Sequence, residues 1–161
     1  MKKSSILTVC AALILPAIMF PLVASGAPAQ ENAADFRDVM GKEWILAELR
    51  SGGRTVTFDR YKLIADNLGG VFTISFNENQ ASGMGAPNRY HGPYTSGSST
   101  LSIGNLASTM MLAFKEPDGL SEKEYFDYLT RVTRWYLRAG KLELYSADSS
   151  GREAVLIFGI K

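Results

Sequence analysis

The clearest alternation of apolar and polar residues lies at 71–76, where Phe72, Ile74 and Phe76 occupy every second position. A period of two predicts a strand with one buried face. Shorter stretches of the same kind, separated by turns rich in Gly, Ser and Asn, predict further strands. They lie at 44–49, 54–58, 134–138, 142–144 and 154–158, with several short strands across 80–104. The alternation therefore predicts a mostly antiparallel sheet of about seven or eight short strands.

One later segment has the period of a helix instead. Ser121 and Glu124 have the spacing of a capping box, and Tyr125, Leu129 and Val132 then follow on one helical face with Tyr128. Residues 35–40 favour one or two helical turns, whereas 59–68 are ambiguous. The predicted fold class is α+β, a curled sheet forming a partial barrel packed on one main α-helix.

The N-terminus has the layout of an export signal. Lys2 and Lys3 precede an apolar stretch over 6–24, and no charged residue occurs between Ser4 and Gln30. Small residues follow, and they favour cleavage after Ala29. The predicted organisation is a signal peptide at 1–29, a leader at 30–40 and a folded domain at 41–161, so the mature protein is expected in the periplasm or the medium.

Two alternatives exist for the same N-terminal segment. An uncleaved membrane anchor is disfavoured because Pro16 and Pro21 interrupt the apolar stretch. A lipoprotein is disfavoured because Cys10 follows Val9 rather than a small residue and lies too early for a complete signal. Contact with a membrane is therefore expected only if the signal segment is retained.

Composition removes several classes of function. The chain has 17 basic and 16 acidic residues without a block of one sign, which argues against a nucleic-acid partner. It contains one Cys and one His, which leaves little material for a metal site or a thiol mechanism. We therefore expect no cofactor, no metal and no enzymatic activity. A hydrolase that uses His91 remains the enzymatic alternative.

Basic side chains suggest a third possibility, a site for small anions. Arg131, Arg134 and Arg138 lie at the helix end and along the next strand, and Arg89 is a further candidate. The alternative is a solvated sheet face on which these arginines pair with carboxylates such as Glu143.

A central segment carries a family resemblance. The sequence NRYHGPY at 88–94, followed by Leu101–Ile103 and by 106–111, resembles the META domain (HslJ-like) family and its pattern G-C-N-x-Y-x-G-x-Y, L-x-I and T-x-M-A-C. The similarity extends over about residues 40–158. The family's two cysteines would fall near Pro87 and Ala113, so a disulfide or redox role does not carry over. Met110 stands where the family often has Arg.

The resemblance implies an exported domain with a curled sheet and a packed helix. Members of the family are often lipoproteins or heat-shock-associated proteins, and no catalytic residues are established for them. We therefore assign none here and expect a monomer with a binding role or a role in envelope stress. The matching motif residues are first assigned to structure; they are Asn88, Arg89, Tyr90, Gly92, Tyr94 and Thr109.

A ligand groove between the sheet and the helix is the most specific binding hypothesis. Methionine-rich apolar surfaces adapt to varied partners, and an acyl chain or a peptide would suit them. The candidate residues are Tyr90, Tyr94, Met110, Met111, Phe114 and Tyr125. In the alternative, these side chains fill the core and the protein binds a partner protein elsewhere.

Overall fold

Ten antiparallel strands are paired edge to edge in the computed structural model, which describes residues 34–112 and 115–161. The strands are β1 (Glu43–Ser51), β2 (Arg54–Thr57), β3 (Thr73–Asn77), β4 (Gln80–Met84), β5 (Arg89–Ser96), β6 (Leu101–Ile103), β7 (Ala107–Ser108), β8 (Arg134–Arg138), β9 (Lys141–Ala147) and β10 (Glu153–Ile160). The helices are α1 (Arg60–Ala65) and α2 (Glu122–Thr130), with short 3-10 turns at Phe36–Asp38 and Pro117–Gly119. The predicted signal peptide and its cleavage site, Cys10 and Phe114 lie outside the described residues.

Eight of these strands curl into a nearly closed barrel in the order β6-β5-β4-β3-β1-β10-β9-β8. The two ends of the sheet meet where Leu101 N donates to Thr133 O at 3.1 Å and Trp135 N donates to Ser99 O at 3.0 Å. The short strands β2 and β7 pair with β1 and β5 beside this path. The predicted fold class, a curled antiparallel sheet with one main helix, is confirmed.

Side chains fill the interior of the barrel. Trp44 and Trp135 are fully buried, and the Phe36 ring lies 4.9–5.5 Å from the rings of Phe76, Tyr94 and Trp135. Phe36 and Val39 belong to the predicted leader, so part of that leader packs in the core. Small barrels of about eight strands are commonly filled in this way. An apolar ligand would have to displace these aromatic rings to enter the interior.

Helix α2 begins where its capping signal predicts. The Ser121 hydroxyl accepts a hydrogen bond from Glu124 N, and the Glu124 carboxylate accepts one from Ser121 N. Tyr125 and Leu129 are fully buried on the helical face that meets the sheet. The predicted helix is confirmed with Tyr125 and Leu129 on its buried face, whereas Tyr128 is half-buried and the buried Val132 lies two residues beyond the end of the helix.

Two local features differ from the sequence expectation. The ambiguous segment 59–68 contains α1, which is capped by Asp59 through bonds from Tyr61 N and Lys62 N. Strand β3 begins at Thr73 rather than at 71, because Phe72 has a φ of +55° and leaves the extended conformation. Phe72 still packs in the core, so the predicted buried face is retained.

Candidate functional site

A buried asparagine organises the surface between β5 and α2. Asn88 Oδ1 accepts hydrogen bonds from Thr109 Oγ1 at 2.8 Å and from Met111 N at 2.6 Å. Its Nδ2 donates to Met111 O at 3.0 Å and to Glu122 Oε2 at 2.6 Å. The side chain is therefore fully satisfied, as a buried amide requires. It attaches the segment at 109–111 to the first turn of α2.

The Glu122 carboxylate completes this network. Its Oε1 accepts hydrogen bonds from Ala86 N at 2.7 Å and from Asn88 N at 2.6 Å. A Cβ atom at Gly85 would lie 2.5 Å from the same oxygen, so the close approach needs glycine there. The carboxylate thereby ties the chain that enters β5 to the first turn of α2. We refer to Asn88, Thr109, Glu122 and the backbone of Met111 as the Asn88 network.

Two tyrosine hydroxyls share one backbone carbonyl beneath this network. Tyr90 Oη donates to Thr73 O at 2.7 Å and Tyr125 Oη donates to it at 3.1 Å, with 3.3 Å between the two hydroxyl oxygens. Both rings are buried, and burial raises the pKa of each phenol well above its usual range. These tyrosines join α2 to β3 and β5 from inside the barrel.

An apolar loop projects from the outer side of the Asn88 network. Met110, Met111 and Leu112 are 98%, 63% and 75% exposed, and we call these three residues the apolar loop. Asn88 bonds both the N–H and the C=O of Met111, which fixes the backbone while the side chains face solvent. Arg89 lies beside the loop, since Thr109 N donates to Arg89 O at 3.1 Å. Its guanidinium makes no ion pair with any described residue.

The residues predicted to line a groove lie in different places. Tyr90, Tyr94 and Tyr125 are buried in the core, whereas Met110 and Met111 are exposed. A side chain that is 98% exposed has almost no walls around it, so the two groups do not form one open groove in this structure. Phe114, the remaining member, lies outside the described residues.

The motif residues of β5 mostly make structural contacts. A Cβ atom at Gly92 would lie 2.8 Å from Asn105 O, and Tyr94 packs 5.1 Å from Phe76, ring to ring. His91 is exposed on the outer side of β5, opposite Ser82 and Ala107 in the ladders. Its imidazole makes no hydrogen bond within the described part of the chain.

The arginines suggested as an anion site form separate ion pairs. Arg134 lies 2.8 Å from Glu153, Arg138 lies 3.3 Å from Glu143, and Arg131 lies 4.0 Å from Asp127. Arg134 and Arg138 also lie over the rings of Tyr145 and Tyr136. Of this group, Arg89 alone lacks a carboxylate partner among the described residues.

The described residues include neither a metal-binding cluster nor a membrane-spanning helix. No group of three or more His, Cys, Asp or Glu side chains there is arranged to hold a metal ion. None of the helices in 34–112 and 115–161 has the length and apolar character needed to cross a bilayer.

Sequence reasoning did not find Glu122, Thr73 or Leu112 as parts of the site. Glu122 sits inside the capping motif, where a charged residue in the first helical turn is ordinary. Its bond to Asn88 joins positions 34 residues apart, and no local pattern signals such a pair.

Comparison with known proteins provides two findings. A family model described as META domain matches residues 37–157. A solved structure described as the NMR structure of a protein from Burkholderia xenovorans matches with a TM-score of 0.59 and 24% sequence identity, over 91% of this chain and 99% of that one. At that identity the likeness shows a shared fold. None of the curated proteins matches this chain.

Proposed function

We propose that this chain, which belongs to the META domain family, is an exported, non-enzymatic module of the cell envelope that acts by binding a partner protein. Two positive residues, an apolar stretch and small residues before position 30 support export to the periplasm or the medium. The proposed role is in tolerance of envelope stress, and the mature chain works as a monomer before it meets its partner.

The observation that carries the binding proposal is the apolar loop on the Asn88 network. Three consecutive apolar side chains face solvent while Asn88 holds the backbone of the middle one. An ordered backbone lowers the entropy lost on association, and methionine side chains adapt to the surface they meet. The loop is thus suited to insert into an apolar pocket of another protein.

The surroundings of the loop indicate the chemistry of that pocket. Arg89 is exposed beside the loop and has no carboxylate partner within the described residues. A partner with an apolar pocket and an acidic rim would bury the methionines and pair with Arg89. Because aromatic rings fill the barrel, we assign binding to this outer surface rather than to an internal cavity.

Export is tested by intact mass. The full chain, produced in a Gram-negative host, should appear in the periplasmic fraction with the mass of residues 30–161. The full-length mass in the membrane fraction would instead indicate a retained anchor, and an added diacylglycerol at Cys10 would indicate a lipoprotein. Either of those results contradicts the proposal.

The binding role is tested by complementation of a deletion strain of the protein's own host under heat or envelope stress. Met110→Asp/Leu112→Asp should fail to restore growth although the protein is exported and folded. The matched control is Tyr61→Asp/Ile64→Asp, since those side chains are 89% and 62% exposed on α1. His91→Ala should complement fully. Equal loss in the α1 control would refute a binding role of the apolar loop, and loss of growth with His91→Ala would refute the non-enzymatic assignment.

Contact with a protein partner is tested separately by photo-crosslinking in the same cells. A photoreactive residue at Met110 should yield one discrete protein adduct, and one at Tyr61 should yield none. The adduct should disappear with Arg89→Glu if an acidic rim is part of the partner. Lipid adducts alone, or the same adducts from both positions, would exclude the proposed partner.

A further inference from the structure

A second surface, separate from the apolar loop, forms a cavity of about 260 Å³ between the β1–β2 hairpin and α2. Leu49 pairs with Val56 and Ser51 pairs with Arg54 across this hairpin, so all four residues share the face that lines the cavity. Leu49 is buried and Val56 is half-buried, so these two side chains provide an apolar wall.

The opposite wall is one face of α2. Glu124, Asp127, Tyr128 and Arg131 have the spacing of a single helical stripe, and all of them line the cavity. Tyr128 Oη donates to Ser51 Oγ at 3.3 Å, which connects the two walls.

The turn between β9 and β10 closes one side of the cavity with a positioned arginine. Arg152 Nε and Nη2 each lie 2.8 Å from Asp148 Oδ2. Asp148 is itself held by Ser150, whose N and Oγ donate to Oδ1 at 2.8 and 2.7 Å. The Arg152 guanidinium also lies against Gly52, where an added Cβ atom would be 3.1 Å from Nη2. Nη1 of Arg152 makes no hydrogen bond to a described residue, so one edge of a fixed guanidinium remains available.

The residues that line the cavity include three arginines and three carboxylates, so their formal charges balance; they are Arg54, Arg131 and Arg152 against Glu124, Asp127 and Asp148. The carboxylates of Glu124, Asp127 and Asp148 bond to Ser121, Lys123 and Arg152 respectively. Arg54 has no ion-pair partner within the described residues. Glu124 likewise makes no ion pair there, whereas Arg131 pairs with Asp127 and Arg152 with Asp148, so Arg54 is the one lining arginine without a carboxylate partner among the described residues.

We propose that this cavity binds a small organic carboxylate, with its anionic group between Arg54 and Arg152 and its short apolar part against Leu49 and Val56. Guanidinium groups present paired N–H donors that match a carboxylate. A monoanion can pair with Arg54, the lining arginine without a carboxylate partner, and it meets less repulsion than a dianion from the three carboxylates in the same cavity. The volume is slightly below the usual range for ligand sites, about 300–1,000 Å³, so the ligand is small. This inference does not rest on the proposed role of the apolar loop.

The proposal is tested with hexanoate as the probe, by NMR titration of the ¹⁵N-labelled protein purified after export. Saturable shifts should be confined to the hairpin, to α2 and to the turn at 148–152. Arg54→Gln should weaken hexanoate binding by about tenfold or more, the loss typical of a charged hydrogen bond. The matched control is Arg50→Gln, because Arg50 lies on the other face of the hairpin and pairs with Glu48 at 2.5 Å. The affinity of the Arg50→Gln variant for hexanoate should equal that of the unmodified protein.

A second variant and two further probes address the apolar wall and the charge. Val56→Thr should weaken the binding of hexanoate several-fold and leave the affinity for acetate unchanged. Hexan-1-ol should not produce the same shifts, and inorganic phosphate should bind more weakly than hexanoate. Equal binding of the alcohol, equal losses with Arg54→Gln and Arg50→Gln, or tighter binding of phosphate would each overturn the assignment.

Discussion

The side-chain amide of Asn88 donates a 2.6 Å hydrogen bond to the carboxylate of Glu122, which lies 34 positions later in the chain. This bond joins the start of β5 to the first turn of α2, and the other donor and acceptor sites of Asn88 hold Thr109 and Met111. The exposed apolar loop and the position of the helix therefore share one anchor. A change that loosens α2 should also release the loop.

Replacement of Asn88 should reveal that anchor as a loss of stability. Asn88→Ala leaves Met111 N and the Glu122 carboxylate with fewer partners, and we expect a decrease of about 3 kcal/mol in the free energy of unfolding. Chemical denaturation measures it, with Asn79→Ala in an exposed turn as the control, expected within about 0.5 kcal/mol. A double-mutant cycle with Glu122→Ala should show coupling of about 1 kcal/mol or more, and additive effects would contradict the network.

Gly83 should tolerate no side chain. A Cβ atom there would lie 2.0 Å from Thr73 O, the carbonyl that accepts both tyrosine hydroxyls, and 2.9 Å from Tyr90 Oη. Because the nearest atoms belong to the backbone, Gly83→Ala must displace β3 or β4, and we expect a loss of about 3 kcal/mol. Gly159→Ala is the control, since its Cβ atom would meet nothing within 4 Å. Similar unfolding midpoints for both variants would show that the β3–β4 contact is looser than the structure indicates.

Burial of Tyr90 and Tyr125 should make the protein sensitive to alkali. Burial raises the pKa of both phenols above the usual value near 10, so the unfolded chain loses these protons first as the pH rises. The stability they contribute is complete below about pH 10 and is lost as the pH rises further. Absorbance at 295 nm at pH 11 should show fewer ionised tyrosines in the folded protein than in urea. The double variant Tyr90→Phe/Tyr125→Phe should reduce this difference in the number of ionised tyrosines. Ionisation of all tyrosines in the folded protein, before any loss of its circular dichroism signal, would contradict the raised pKa of the two phenols.

The Asp148 turn should contribute stability that acid removes. Hydrogen bonds from the Ser150 hydroxyl, and then from Arg152, hold the pKa of this carboxyl well below its usual range. The unfolded chain takes up the proton near pH 4, so the contribution is present above that pH and falls as the pH decreases further. Between pH 7 and pH 2.5, Asp148→Asn should lose less unfolding free energy than the unmodified protein. The control is Asp66→Asn, at an exposed position on the C-terminal side of α1, which should lose as much unfolding free energy over this pH range as the unmodified protein. If the unfolding free energy falls equally with pH in all three proteins, Asp148 does not have this role.

Local patterns were sufficient for most elements of the fold. Alternation in 142–144 correctly places Leu142 and Leu144 inside the barrel, and the Ser121 capping box correctly predicts the start of α2. The residues that define these signals are adjacent or three to four positions apart, so each signal is complete within a few residues. Asp59 is a comparable capping signal, but the short α1 that follows it has too few turns to show a helical period.

The candidate site was less predictable, and its residues show why. Tyr90, Met110 and Tyr125 have similar apolar character in the sequence, yet two are fully enclosed and one is almost fully exposed. Their burial depends on how β5, α2 and the segment after β7 pack together. Arg54 was not singled out either, because its relation to Arg152 exists only when the β1–β2 hairpin lies beside the β9–β10 turn.

Residue type and short spacing were sufficient to predict most of the strands, the main helix, the apolar interior and the resemblance to the META domain. The bond between Asn88 and Glu122, the two tyrosine hydroxyls on Thr73 O and the exposure of the apolar loop depend instead on how the folded segments pack. Contacts of this kind depend on the packing of segments that lie tens of residues apart in the sequence. Barrel closure brings those segments together, and no property of either segment alone specifies the other.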